Sequence, residues 1–547
     1  MNILIFFLKY FNTLRHLKLI QIVFRFKPKN IQRIKVNPSR IHTRVHEASS
    51  IYFINKKELF NPPDEFNFLN VSRRLNRIGW NNPSMSLLWN YNQNYFDWLI
   101  SKDHINHAEF NQKIIGSWIR NNPEGSNISW DPYPTSLRIV NWIKYFLITD
   151  KRNTEQILSL YSQSAWLKSN IEWHLLANHL ISNAKALIFS GLFFNCEGSK
   201  AFLNKGIKIL DQQLQEQILL DGGHFELSPM YHSIILEDLL DILNIFDVYS
   251  YENPLLLDKI KRKASLMIFW LSKMLITKQD IAFFNDSCGG IASKFSELES
   301  YANRLGLNYE ILHQKENSDS DIFHFKDSGF IRFENNKFIS LMDVGEIGAS
   351  YQPGHAHADT LSFETSILGK KFLTNSGIST YEDNSIRSFQ RSTISHNTVV
   401  INNQNSSEVW SSFRVAKRAK PFDLNIDHER NKISCKHDGY KRIISGAIHS
   451  RSWTYKRNYF SVEDRLSGSF SSASCFFYFH PDWSVKFHRN EIVCFLNEIE
   501  IEIKTNSKSF ELIDAHYFPE FGKKVKNKCL KINFDQNHIK TSFELKA

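Results

Sequence analysis

Cysteine is scarce in this chain. Six residues among 547 (Cys196, Cys288, Cys435, Cys475, Cys494 and Cys529) are far apart and make no CxxC, so neither a disulfide framework nor a thiolate metal site is indicated, and buried thiols are expected. No apolar run reaches the roughly 20 residues of a transmembrane helix. The first residues, MNILIFFLKYFNTLRHLKLIQIVFRF, include a short apolar run but lack a basic region before it and a small-residue cleavage site. That argues against a standard signal peptide and favours the cytoplasm. Arginine-rich helices and zinc-finger spacings are also missing, so a dedicated nucleic-acid reader has no support beyond net charge.

What is present is apolar and basic. Hydrophobic residues make up 42% and aromatics 14%, with 44 Phe and 12 Trp, which describes a globular protein with many rings for cores and some for stacking on sugars. Lys plus Arg number 67 against 56 Asp plus Glu, a net +11. An anionic partner is favoured, and acidic polysaccharide ranks above nucleic acid. The length exceeds the roughly 250–300 residues at which one core stops growing, so two domains are expected.

Residues 1–60 are basic and aromatic, with helical spacing at Leu14, Leu17, Ile20 and Phe24, and read as an arm packed on the main body. From 61 to 305 the apolar spacing is helical, in segments such as 137–148, 155–194, 199–217, 230–249 and 255–277, with Pro and Gly between them in NNPEGSN and DPYPTS. Residues 306–322 turn polar and read as a linker. From 323 to 547 short alternating segments (SGFIRF, KFISLMDV, HNTVVIN, ASCFFYFH, IEIEIKTN) predict an antiparallel β domain, a sandwich.

Three stretches concentrate polar chemistry. In 353–400, an extended 354–363 would place His355, His357, Asp359, Leu361 and Phe363 on one face, with His396 from another strand-like run nearby. Such imidazoles can converge on a divalent metal or can be half-buried strand residues bonded to backbone. The segment 171–194 is apolar nearly all round, yet carries Asn178 and His179. That implies a buried helix whose polar pair serves either a cleft or neighbouring helices. In DGGHFELSPMYH, Ser228 reads as an N-cap and Pro229 as the first helical residue, placing Tyr231 in the first turn.

The order of NHLISNAKALIFSGLFF, DGGHFELSPMYH, HAHADTLSFETSILGKKFLTNSGISTY and RSTISHNTVVINNQ resembles the heparinase II/III family of polysaccharide lyases and its alginate-lyase relatives. The resemblance implies an incomplete α/α toroid joined to an antiparallel β-sandwich, a cleft between them, and a periplasmic or envelope location. It also implies β-elimination of a uronic-acid polysaccharide, in which a carboxylate is neutralised, C5 deprotonated and the leaving oxygen protonated. By motif position Asn178 matches the carboxylate-binding residue with His179 beside it, Tyr231 the catalytic tyrosine and His355 the catalytic histidine. The zinc-containing members use histidine, aspartate and histidine, which here are His357, Asn375 and His396. Asn375 is a neutral amide and a weaker donor, so one structural zinc and a hydrogen-bonded cluster through Asn375 both stay open. A strict two-residue hairpin at Gly369-Lys370 would turn Asn375 away from His357, so the metal reading requires a longer loop or a bulge.

Arg387 and Arg391 are candidates to hold substrate carboxylates, Tyr381 is a candidate second tyrosine, and Trp410 with Arg414 a sugar platform. Two other readings remain: an inverting glycoside hydrolase using Asp221 and Glu226, and a polysaccharide-binding protein that has lost turnover. The oligomeric state is not legible.

Overall fold

Residues spaced three and four apart build the first half of the computed structural model, which describes residues 3–30, 37–45, 51–307, 309, 320–444, 446–488 and 491–546. The local signals are ordinary ones. Thr154–Ser169 starts with a capping box between Asn153 and Gln156, and Pro254–Lys273 starts with Asn253 accepting from Leu256 N at 3.2 Å and proline in its first turn. Asn178–Phe193 lies at the centre, buried along nearly its whole length, with Pro132–Thr149, Glu197–Gln217 and Pro229–Val248 packed around it. Gly191 permits the closest approach, since a Cβ there would stand 2.5 Å from Leu203 N.

Two departures from the expected helices have local causes. The 155–194 pattern is not one helix. It breaks after Ser169 and resumes at Asn178, through Leu176 and Ala177 at φ 63° and 52°. Helices do not begin at 61 either. A three-stranded sheet of Phe60–Asn61, Glu65–Phe68 and Val71–Arg74 comes first, because Phe66 and Phe68 alternate with Glu65 and Asn67, and Leu69-Asn70 turn at positive φ.

Of the expected linker, residues 308 and 310–319 lie outside the described residues. Beyond them every named strand pairing is antiparallel. A five-stranded sheet (Ser320–Phe325, Phe330–Asn335, Phe338–Asp343, Phe363–Ile367, Lys370–Leu373) and a four-stranded sheet (Phe510–Tyr517, Val525–Asn533, Ala473–Tyr478, Val399–Ile401) face an eight-stranded sheet running from Pro421–Asp427 to Ser484–His488. His449–Lys456 and His538–Leu545 alternate buried and open positions, so one face is core and the other meets solvent. Phe333 stacks on Tyr455 at 3.9 Å, and Phe363 meets Trp453 edge-on at 6.2 Å, across the layers. A helical domain followed by an antiparallel sandwich is the architecture the pattern predicted. Five of the six cysteines are buried and all are free thiols.

Candidate active site at the domain junction

The segment 353–362 is not a strand. Phe363 opens the strand, and the preceding amides bond to loops instead of a ladder: His357 N donates to Asn285 Oδ1 at 2.9 Å, Ala358 N to Arg391 O at 2.9 Å, and Leu361 sits at φ 61°. His396 likewise precedes its strand, Val399–Ile401, at the end of a short 3₁₀ turn. The one-face argument from alternation therefore falls. The two histidines are united by a residue the sequence reading missed, Asp286.

Asp286 lies in the irregular stretch after Pro254–Lys273 and is fully buried. Its Oδ2 meets His355 Nδ1 at 2.9 Å and its Oδ1 meets His357 Nε2 at 2.9 Å. Arg387 closes on both oxygens, Nη1 on Oδ1 and Nη2 on Oδ2, the latter at 2.8 Å. Burial opposes the charge, but the Arg387 guanidinium and the two imidazoles outweigh it and hold the carboxyl well below the usual range. The backbone is fixed too: Asp286 N donates to His355 O at 3.0 Å, and Ser228 Oγ donates to Asp286 O at 2.7 Å. The only sequence signal was an Asn-Asp-Ser triplet after an apolar run.

With its Nδ1–H given to Asp286, His355 keeps Nε2 as a lone pair that bonds no described residue. Burial lowers its pKa, and Asp286 pulls the other way. The ring lies flat against Tyr231, centroids 3.8 Å apart. Tyr231 stands where the sequence placed it, in the first turn of Pro229–Val248, with Ser228 Oγ capping its N–H at 3.2 Å. Its hydroxyl meets that of Tyr381 at 3.0 Å, and burial pushes the phenol well above 10.0. The DGG loop is held by Asp221, which accepts from Ser328 N at 2.7 Å and Ser328 Oγ at 2.9 Å across the domains. Gly222, at φ 90°, passes so near Pro254–Lys273 that a Cβ would stand 2.3 Å from Leu266 O.

Asn178 and His179 open the central helix, whose N-cap position is Ala177 and so offers no side-chain cap. Asn178 N–H is received by the Glu226 carboxyl, which burial raises to about 8, and Glu226 Oε2 bonds no described residue. His179 faces Glu172 Oε1 at 3.1 Å and packs at a tilt on Tyr133, centroids 4.7 Å apart. Asp221 and Glu226 do not make the separated carboxylates of a hydrolase: one is a loop tie and the other a buried acid.

Four expected substrate residues are otherwise engaged. Arg387 is spent on Asp286 and Ser412 O, and Arg391 on the carbonyls of Ala356, Ser411 and Arg414; both are buried. They order the loops of the site. Trp410 is covered by Tyr10 at 4.9 Å and donates to Thr13 Oγ1 at 3.1 Å, while Arg414 lies over Trp410 at 4.8 Å. That pair seats the N-terminal arm. Tyr381 alone of this group lies against Tyr231 and His355.

The metal residues converge only in part. His357 Nδ1 and His396 Nε2 approach to 3.1 Å, and His396 Nδ1 donates to Ser392 O at 2.8 Å. This row is fully bonded only with one extra proton, which burial opposes, pushing His357 down to about 3, and Asp286 favours. A bulge at Phe372, of the kind the three-ligand reading required, is present, and the turn is Leu368-Gly369. Even so, Asn375 Nδ2 donates to Phe283 O at 3.1 Å and its Oδ1 accepts from Asn397 N at 3.3 Å. It bonds neither imidazole, so in place of the asparagine-bridged cluster, one of the two alternatives left open by the sequence, there is a direct histidine pair. Among the described residues no group of three or more His, Cys, Asp or Glu suits a metal. The donor set does not fit a His-Asp-His zinc.

Comparison with known proteins follows the same lines. The heparin-sulfate lyase of Bacteroides stercoris is 23% identical over 412 residues, covering 69% of this chain and 58% of that protein. That of Pedobacter heparinus is 21% identical over 420 residues, covering 68% and 62%. The chain thus spans about three fifths of the length of these relatives. A crystal structure of heparinase III superposes with a TM-score of 0.70 at 16% identity, over 96% of this chain and 88% of that one, a likeness of fold. Residues 75–305 match the heparinase II/III N-terminus and residues 317–544 the heparinase II/III-like C-terminal domain, together well over half of the sequence. With the helical domain, the sandwich and the junction between them in that same order, the chain belongs to the heparinase II/III family.

Proposed function

We propose that this protein is a polysaccharide lyase that cleaves a uronic-acid polymer by β-elimination. The observation that carries the reading is the Asp286–His355–Tyr231 arrangement: an imidazole with Nδ1–H fixed on a carboxylate and Nε2 free, lying flat on a phenol that keeps its proton. His355 Nε2 takes the C5 proton, the C4–O bond breaks as the C4–C5 double bond forms, and Tyr231 gives its proton to the leaving oxygen. Asn178, in the first turn of the central helix, receives the uronate carboxylate and favours the charge that develops on it. Base and acid side by side on one wall suit a uronate whose C5–H and C4–O lie on the same face of the ring, the glucuronate configuration. The names of the relatives, heparin-sulfate lyases, support an acidic glycosaminoglycan-like substrate.

A panel of glucuronate, iduronate, alginate-like and neutral polymers tests this. Ultraviolet absorbance from the new double bond is expected with glucuronate polymers and not with neutral glycans, whereas new reducing ends without absorbance would show hydrolysis. His355→Ala and Tyr231→Phe are each expected to lower kcat by about 10²–10⁴-fold; Tyr231→Phe should keep the melting temperature, whereas His355→Ala, which removes a partner of buried Asp286, should also lower it. Near-normal turnover in both would remove the assignment.

The pH profile has a signed expectation. His355 acts when neutral and burial lowers its pKa, so the acid limb of kcat/KM should fall below the model-peptide histidine value of about 6.5. Glu226, raised to about 8, is neutral below that value and becomes a charge beside Asn178 above it, repelling the substrate carboxylate. An alkaline limb near 8 is therefore expected, and Glu226→Gln should remove it. An unchanged limb in that variant would separate Glu226 from substrate binding.

The site is also proposed to work without zinc. Metal analysis of the purified protein should give no stoichiometric zinc, and a chelator should leave the thermal melt unchanged. Stoichiometric zinc lost together with stability would contradict the geometry around Asn375.

A further inference from the structure

The two N-terminal helices, Ile3–Leu14 and Leu19–Phe26, are folded with their polarity reversed. Their buried side chains among the described residues are Asn12 and Gln21, whereas Phe7 (65%), Phe11 (64%), Leu19 (75%), Val23 (54%) and Phe26 (82%) are exposed. The inward side is held by polar and aromatic contacts. Tyr10 packs on Trp410 and Thr13 accepts from it; Lys18 reaches Glu216 and lies 3.9 Å from the Tyr351 ring centre; Gln21 donates to Tyr351 O at 3.4 Å. Five large apolar side chains turned to water within two short helices form the kind of patch that marks an interaction surface.

Charge decides what covers it. Residues 1–46 hold ten Lys and Arg and no Asp or Glu, and Arg15, Arg25 and Lys27 are exposed beside the apolar side chains. A second copy of this surface would bring two like-charged patches together. A bilayer with anionic headgroups satisfies both features, taking the rings into the acyl boundary and the basic side chains into the headgroup layer. With 12 and 8 residues, the helices fall short of the roughly 20 needed to span a bilayer, so they lie in its plane. Because Trp410 and Tyr351 anchor them to the loops around His355, the catalytic junction would stand close to that surface.

We propose that these helices attach the protein peripherally to an anionic lipid bilayer. The proposal is independent of the lyase reading. Co-sedimentation of the full chain with vesicles of phosphatidylcholine, alone or mixed with phosphatidylglycerol, tests it. Pelleting is expected with the mixed vesicles only, and should weaken as salt rises. Phe7→Glu with Phe26→Glu, and separately Arg25→Glu with Lys27→Glu, should each reduce the bound fraction by about tenfold. All these side chains are exposed, so melting temperature and polymer cleavage should stay unchanged. Failure to pellet, equal pelleting with neutral vesicles, or a concentration-dependent dimer abolished by the same variants without vesicle binding would each overturn the proposal, the last in favour of a second copy.

Discussion

A buried carboxylate with too many donors to move is the constraint on which the site depends. Asp286 receives two nitrogens of Arg387 and one from each of His355 and His357. Desolvating such a charge costs several kcal/mol, and the cost is offset only while all the partners stay in place. The partners come from three places: the 353–362 loop, the short helix Ser385–Gln390, and, through Ser228, the cap of the Tyr231 helix. Holding Asp286 therefore holds the helical and β domains in register and fixes which nitrogen of His355 is free. Structure and proton transfer are served by one interaction.

A second network in the β domain shows why residue types alone do not announce such a site. His437 Nε2 meets His449 Nδ1 at 3.1 Å, His449 Nε2 meets Asp464 at 2.7 Å, and Arg451 bonds both Asp464 oxygens. The groups repeat those around Asp286: two imidazoles, a carboxylate and a guanidinium. Here the far end of the row accepts from Gly439 N–H at 3.1 Å, so two neutral rings carry every proton required, and all four side chains are buried. Nothing is left to donate or accept, and the network serves the fold. Around Asp286, by contrast, His355 retains an unused nitrogen against the protonated phenol of Tyr231.

The elements legible in the sequence were those set by neighbours a few residues away. Ser228-Pro229 announced the helix start that aims Tyr231, and the alternation of the β segments announced the sandwich. What was illegible depends on distant partners. His355 and His357 looked like strand residues because alternation was the only pattern available, while their true partner lies some seventy positions earlier in a loop with no periodicity. Arg387 and Arg391 have the chemistry to bind carboxylates, but a buried guanidinium must find acceptors, and it found Asp286 and loop carbonyls. Asn375 could be ruled a poor zinc ligand from its amide alone; that it turns to Phe283 and Asn397 required the fold.

The central claim, that Asp286 fixes His355 with Nδ1 protonated and Nε2 free, can be observed directly. Long-range ¹H–¹⁵N spectra of histidine-labelled protein at neutral pH report the tautomer of each ring, with His355→Ala identifying the signal. The account predicts the Nδ1–H tautomer for His355, shifting toward the Nε2–H form in Asp286→Asn. A wild-type His355 already in the Nε2–H form, or a tautomer indifferent to Asp286→Asn, would contradict it.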